Sequence, residues 1–93
     1  MISLNTPGEA RKQLAEHFRQ LRKSRRLTQQ ELAKRSGVAL ATLRKFERTG
    51  LIALQSFLKL AFVLNKLDAI VKAVGAPPEF RTLDEIIAQD KSS

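Results

Sequence analysis

The chain has 93 residues, no Cys, and 17 Lys and Arg against nine Asp and Glu, which gives a net charge of +8. This length suits a single domain, and the lack of Cys excludes a disulfide framework, a thiolate nucleophile and a cysteine zinc site. No uncharged apolar run approaches the roughly 18 residues that cross a bilayer, so we expect a soluble, cytoplasmic protein with no membrane contact.

Apolar residues recur at the helical period, which predicts an all-α fold. The first helix should begin at Thr6, because Thr6-Pro7-Gly8-Glu9 combines an N-cap hydroxyl, a Pro at the first helical position and a Glu three residues after the cap. It should end near residues 24–26, and Leu27 should anchor the following turn in the core. Its apolar stripe is predicted to be Ala10, Leu14, Phe18 and Leu21.

The next two predicted helices are short and lie on either side of a glycine. Thr28-Gln29-Gln30-Glu31 is a second capping box, and Ser36-Gly37 should end the helix that it opens. A third helix is predicted over residues 39–48, stopping at Thr49-Gly50. Leu43 and Phe46 should be its inward residues.

Two further helices are strongly apolar. Residues 54–64 are apolar almost all round, which predicts a fourth helix buried on two sides. Residues 67–74 carry an apolar stripe at i, i+3, i+4 and i+7, which predicts a fifth helix ending at Gly75. Because this apolar surface exceeds what one small domain can bury, we predict a homodimer with an interface formed by Phe62, Leu64, Leu67, Ile70 and Val74.

The C-terminal residues form a separate segment, in which Pro77-Pro78 should act as a stiff, non-helical joint. Beyond it, Thr82 and Glu85 have capping-box spacing, which predicts a short amphipathic tail helix. Its apolar face should bind a protein partner or fold back on the dimer, and consists of Leu83, Ile86 and Ile87.

The positive charge is concentrated in one half of the chain. Residues 1–50 carry the whole excess of +8, whereas residues 51–93 are neutral. This division favours a surface that binds a polyanion and a separate surface that packs or associates, although ordinary solvated helix faces would also be basic.

The second and third helices have the pattern of a helix-turn-helix unit. Such a unit needs four apolar positions to lock the helices at an angle, one small residue where they approach, and a glycine with positive φ in the turn. Six residues meet these requirements in register: Leu32, Val38, Leu43 and Phe46, then Ala33, then Gly37.

The phrases LRKSRRLTQQELAKRSGV and TLRKFERTG resemble the Cro and phage-repressor type of helix-turn-helix, also called XRE, over about residues 11–65. The resemblance implies a five-helix, lambda-repressor-like domain with a short C-terminal tail helix. Residues 1–76 would bind DNA and dimerise, and residues 77–93 would be the linker and tail. The third helix would enter the major groove of a palindromic operator in double-stranded DNA.

The resemblance also implies individual roles. Arg22 and Glu47 would form a structural ion pair. Ala39 and Ala53 stand where polar N-caps are usual, so both helix starts should be loose. Leu40 and Ala41 can touch thymine methyls but cannot form bidentate hydrogen bonds, which limits specificity. The implied DNA-binding residues are Thr28, Gln29, Gln30, Ala39, Leu40, Ala41, Thr42, Arg44, Lys45 and Arg48.

A finer resemblance concerns residues 46–67, FERTGLIALQSFLKLAFVLNKL, and the TLDEII tail, which look like small HipB-like antitoxins. It implies a repressor that controls its own toxin operon and binds a toxin or kinase-like protein. The alternatives are an inhibitory subunit whose DNA binding is secondary, and a stand-alone phage-type repressor. Binding to RNA is less favoured, because the chain has no Tyr or Trp for base stacking.

Candidate catalytic residues are few. His17 is the one His in the chain, and the adjacent Asp84 and Glu85 diverge by about 100° on a helix. No catalytic triad, phosphate loop or metal-ligand spacing accompanies them. We therefore expect no enzyme activity, no metal and no cofactor.

Overall fold

In the computed structural model, residues 5–75 are described, and all of their regular elements are α-helices. This confirms the predicted all-α fold and agrees with a lambda-repressor-like arrangement. None of the described helices is both long and apolar enough to cross a membrane. The elements in chain order are α1 (Pro7–Ser24), α2 (Gln29–Ser36), α3 (Leu40–Thr49), α4 (Leu54–Val63) and α5 (Leu67–Val74).

The helix ends follow the local sequence. The Thr6 hydroxyl accepts a hydrogen bond from the Glu9 backbone N–H at 3.1 Å, and Thr28 does the same for α2. Gly37 and Gly50 end α2 and α3 in the left-handed conformation, at φ of 75° and 78°. These four ends are the ones that the sequence predicts.

The two alanine caps are also found where the sequence places them. Ala39 precedes α3 and Ala53 precedes α4, and neither side chain caps its helix. The first turns of α3 and α4 therefore lack the side-chain hydrogen bond that polar caps provide.

The core lies where α1 packs on α3 and where α2 packs on α3 and α4. Three aromatic rings meet near its centre. Phe18 stacks on Phe57 with 4.7 Å between ring centroids, and Phe46 meets each of them edge-on at 5.8 Å. The buried apolar residues are Ala15, Phe18, Leu27, Leu32, Ala33, Val38, Leu43, Phe46, Leu60, Ala61 and Leu64.

The buried face of α1 is rotated from the predicted stripe. Ala15, Phe18 and Arg22 are the buried residues of this helix, whereas Leu14 is 45% exposed. The reason is that α1 packs against α3 through the line that includes Ala15, and Leu14 lies instead beside a groove that faces α5.

The fourth helix corrects two predictions. It buries Leu60 and Ala61 on one side, but Phe62 and Leu54 are about 70% exposed, so α4 is not buried on two sides within the described chain. Leu64 has no exposed surface, because it packs into the core at the C-cap of α4. A residue covered by its own chain cannot contact a second copy, so Leu64 does not belong in the predicted dimer interface.

The fifth helix lies on the outside of the fold and has no buried residue. Val74 is 85% exposed, and Leu67 and Ile70 are half-buried against the core. The predicted tail contacts of Leu83, Ile86 and Ile87 lie outside the described residues.

Candidate nucleic-acid interface

One face of α3 is directed away from the core and carries most of its charge. Leu43 and Phe46 form the opposite, buried face, each 1% exposed. Residues at i, i+3, i+4 and i+7 share one side of a helix. The outward face of α3 is accordingly formed by four exposed residues, Ala41, Arg44, Lys45 and Arg48.

The three cations on this face have no ion-pair partner between residues 5 and 75. The ion pairs in that stretch are Arg19 with Glu16 and Arg22 with Glu47. Since Arg44, Lys45 and Arg48 are not neutralised by neighbouring carboxylates, their charges remain available to an anion such as a phosphate or a guanine edge.

The other predicted residues of this helix lie at the edge of the outward face. The predicted contact of Leu40 with the bases stays a prediction, and only part of the side chain is free for it, because Leu40 is half-buried against the core. The physical reason is that it lies about 100° around the helix from Ala41. Thr42 is half-buried on the opposite edge, and Ala39 is exposed at the N-cap.

The N-terminus of α2 forms the second part of the candidate site. Thr28 accepts from the Glu31 backbone N–H at 3.1 Å, and the Glu31 carboxylate accepts from the Thr28 backbone N–H at 2.9 Å. The Thr28 backbone N–H, and after it the Thr28 hydroxyl, interact with the Glu31 carboxylate and lower the pKa of Glu31. Gln30 is exposed beside them, and the positive end of the helix dipole favours an anion here.

A buried network connects this helix end to α3. Arg22 donates from Nε and Nη2 to the two Glu47 carboxylate oxygens at 2.7 and 3.0 Å, and from Nη1 to the Leu27 carbonyl at 2.8 Å. The predicted pair between Arg22 and Glu47 is therefore present, with both side chains less than 10% exposed. It fixes α1, α3 and the turn before α2 in one arrangement.

Gln29 joins the same network through a contact that the sequence did not predict. Its Nε2 donates to Glu47 Oε1 at 2.9 Å. A side-chain amide nitrogen has two N–H donors, so the second can still reach a phosphate oxygen. No local pattern identifies this bond, because Gln29 and Glu47 are 18 residues apart and meet through the angle between α2 and α3.

Other contacts that the sequence did not predict hold the loops around the site. Arg11 Nε donates to the Thr49 carbonyl at 3.0 Å, and Arg25 Nη1 donates to the Val63 carbonyl at 3.3 Å. The backbone of Gly50 lies so close to Arg11 that a Cβ there would overlap it. These long-range contacts depend on how the helices pack.

The described residues include no group of three His, Cys, Asp or Glu side chains that could hold a metal ion. His17 is exposed on α1 and lines the groove between α1 and α5. It lies outside the outward face of α3, so we assign it no part in the candidate interface.

The chain matches the model of a known protein family. A family model described as "Helix-turn-helix domain" matches residues 13–83, about three quarters of the chain. The match includes α2 and α3, which carry the site described above. No curated protein and no solved structure shows a significant match to the chain.

Proposed function

Because the chain belongs to the helix-turn-helix domain family, of the DNA-binding XRE-like kind, we propose that this transcription regulator is a sequence-specific repressor acting as a homodimer. The observation that carries the proposal is the outward face of α3, whose three cations have no ion-pair partner within residues 5–75, together with the N-terminus of α2 beside it. A convex helix with unneutralised positive charge suits the major groove.

In this proposal the two helices have different tasks. The N-terminus of α2, with the Gln29 amide, contacts a phosphate and sets the depth at which α3 lies. Arg44, Lys45 and Arg48 reach base edges or flanking phosphates, and Ala41 touches a thymine methyl. The remaining predicted contacts, Thr28, Gln30, Ala39 and Thr42, lie at the border of this surface.

A dimer would present two such surfaces about one DNA turn apart. Half-sites are then expected about 34 Å from each other on a palindromic operator. The exposed apolar residues Phe62 and Val74 support association through α4 and α5.

The test is to select operator sequences from random DNA and to measure affinity for the selected inverted repeat at several salt concentrations. Each neutralised phosphate contributes about −0.9 to the slope of log K against log salt, so about six contacts give a slope near −5. A flat salt response, or selection of no inverted repeat, would contradict the proposal. Equal affinity for random DNA would contradict the sequence-specific part alone.

We propose further that the repressor is an antitoxin that controls its own operon and binds a toxin or kinase-like protein. Support comes from the resemblance of residues 46–67 and the tail to HipB-like antitoxins, and from the exposed apolar side chains of α4 and α5. The test is to express the chain with the product of the adjacent gene. Formation of a stable complex and relief of that product's toxicity are expected.

Three outcomes distinguish this role from its alternatives. A stand-alone phage-type repressor would bind its operator and rescue no toxic neighbour. An inhibitory subunit whose DNA binding is secondary would rescue growth with or without the charges of Arg44 and Lys45, and removing these charges would leave expression from its promoter unchanged. An autoregulating antitoxin would rescue growth with those variants but would no longer repress its promoter.

A further inference from the structure

A groove lies between α1 and α5 and shares no lining residue with the outward face of α3. It has a volume of about 550 Å³ and an apolar floor formed by Phe18, Leu21 and Ile70, with His17 and Lys66 among its polar lining residues. Leu14 also lines it and remains 45% exposed. Residues 5–75 thus leave an apolar channel open along the length of α5.

This groove explains two features of the helices that border it. The fifth helix has a clear apolar stripe but no buried residue, and Leu14 belongs to the predicted apolar stripe of α1 without being covered. Apolar side chains at the edge of a core gain stability when other apolar groups exclude water from them. An occupant that fills the groove would supply that cover for both helices.

The chain carries a segment of matching chemistry directly after α5. Residues 76–93 place Leu83, Ile86 and Ile87 at i, i+3 and i+4, the spacing of one helical face. Residues 76–93 contain four acidic and two basic groups and have a net charge of −2, whereas residues 1–75 have a net charge of +10. The segment is therefore apolar along one face and opposite in overall charge to the domain that precedes it.

The covalent connection favours binding within the same chain. Residues 76–82 can span up to about 23 Å when extended, and the eight residues of α5 are about 12 Å long. The part of the groove that runs along α5 is therefore within this reach. A short tether also gives an effective concentration in the millimolar range, well above the micromolar concentration of a second copy.

We propose that residues 83–87 bind in the groove between α1 and α5 of their own chain, with Leu83, Ile86 and Ile87 against its apolar floor. The bound segment covers Leu14 and holds α5 against α1. Phe62 and Val74 keep their exposed positions, so dimerisation through them is compatible with it. A toxin or other protein that binds the same three tail residues must first displace them from the groove.

Disulfide trapping tests the proposal in the full chain, which has no natural Cys. His17→Cys and Ser24→Cys place a thiol at two points of the groove, and each is combined with Ala88→Cys beside the apolar residues of the tail. In a glutathione redox buffer at micromolar protein, we expect an intramolecular disulfide in at least one pair. The effective concentration of one thiol with respect to the other in that pair should be millimolar or higher.

The matched control is Lys23→Cys with Ala88→Cys, because Lys23 is exposed on α1 but does not line the groove. The effective concentration measured for at least one groove pair should be at least ten times that of this control pair. Adding Leu83→Asp and Ile86→Asp should remove the difference. Equal trapping in all pairs would refute the proposal. A product linking two chains would show that the occupant is a second copy, which also overturns it.

This experiment does not depend on the proposed function. Trapping is read from the mass and mobility of the protein without DNA or a partner. A failed operator selection would therefore leave the groove proposal standing, and equal trapping would leave the DNA-binding proposal standing.

Discussion

Arg44 and Lys45 are neighbouring residues of α3 that remain exposed and unpaired within residues 5–75. We predict that Arg44→Ala and Lys45→Ala each weaken operator binding without lowering the melting temperature, because neither side chain packs in the core. Loss of a phosphate contact should reduce the salt slope by about one, and loss of a base contact should cost about 1 to 3 kcal/mol and relax specificity at one base pair. Fluorescence anisotropy at several salt concentrations measures both effects.

Lys12→Ala is the control for these variants. Lys12 is an exposed cation on α1, so its replacement removes the same net charge without changing the outward face of α3. If Lys12→Ala reduced the affinity as much as Lys45→Ala, general charge attraction rather than α3 would account for binding.

The carboxyl group of Glu31, in the capping box of α2, leads to a prediction about its pKa. Its pKa is lowered from about 4.5, because the Thr28 backbone N–H and hydroxyl interact with the carboxylate. A carboxyl whose folded pKa lies below its unfolded pKa stabilises the fold above the unfolded value, and this contribution disappears as the pH falls through the folded pKa. Thr28→Ala removes the hydroxyl but keeps the backbone N–H, so we predict that it raises the pKa of Glu31 only part of the way toward its ordinary value, as followed by NMR titration of the carboxyl carbon.

Both helices of the helix-turn-helix unit, α2 and α3, end at a glycine, and the two glycines differ in their surroundings. Both have positive φ, but a Cβ at Gly37 would meet nothing within 4 Å, whereas at Gly50 it would overlap Arg11. Gly37→Ala should cost about 1 to 2 kcal/mol from backbone strain alone. Gly50→Ala should cost more because α1 must also move, and urea denaturation compares the two directly. Equal costs would contradict the close approach of α1 to the end of α3.

The buried network of Arg22, Glu47 and Gln29 joins three helices. Arg22→Ala should destabilise the fold by about 3 to 5 kcal/mol, because it leaves the Glu47 carboxylate buried without its partner. Replacing both members, Arg22→Met with Glu47→Leu, should restore most of the stability. DNA affinity should stay low, since Gln29 then loses the acceptor that positions it.

Thermal melting and operator affinity, measured on the same three proteins, separate these effects. If the double variant recovered full affinity together with its stability, the network would serve packing only. The predicted role of Gln29 in holding a phosphate would then lose its structural support.

At the scale of the whole molecule, the prediction concerns association of two chains. Phe62 is 71% exposed on α4 near its junction with α5, and we predict that Phe62→Glu gives monomers, because a charge would be buried in the interface. Sedimentation velocity at micromolar concentration measures the change. The monomers should also bind the inverted repeat more weakly, since the two half-sites would be contacted independently.

Leu54→Glu is the matched control, because Leu54 is also about 70% exposed on α4 but lies at the other end of the helix. It should remain a dimer. A stable monomer of the natural sequence, or equal dissociation of both variants, would contradict dimerisation through this end of α4. Ile70 is less suitable as a test, since it is half-buried and packs against the core.

The sequence by itself determined the helices, their ends and the positions of the apolar, small and glycine residues in the helix-turn-helix unit. Thr6, Thr28, Gly37 and Gly50 act through groups within a few residues of themselves, so their roles can be recognised from local spacing. The ion pair between Arg22 and Glu47 could be predicted from the family resemblance. The outward face of α3 follows from the helical period, once Leu43 and Phe46 are assigned to the core.

The tertiary structure decided which apolar residues are covered and by what. Leu64 and Phe62 are both apolar residues near the end of α4, yet one is fully buried and the other exposed. Leu14 and Ala15 are neighbours on α1, and the less bulky of the two is buried. Periodicity gives the direction of a side chain around its own helix, but burial depends on where the other helices pack. The same reason explains why the bond from Gln29 to Glu47 and the groove beside α5 emerge only once the helices are assembled.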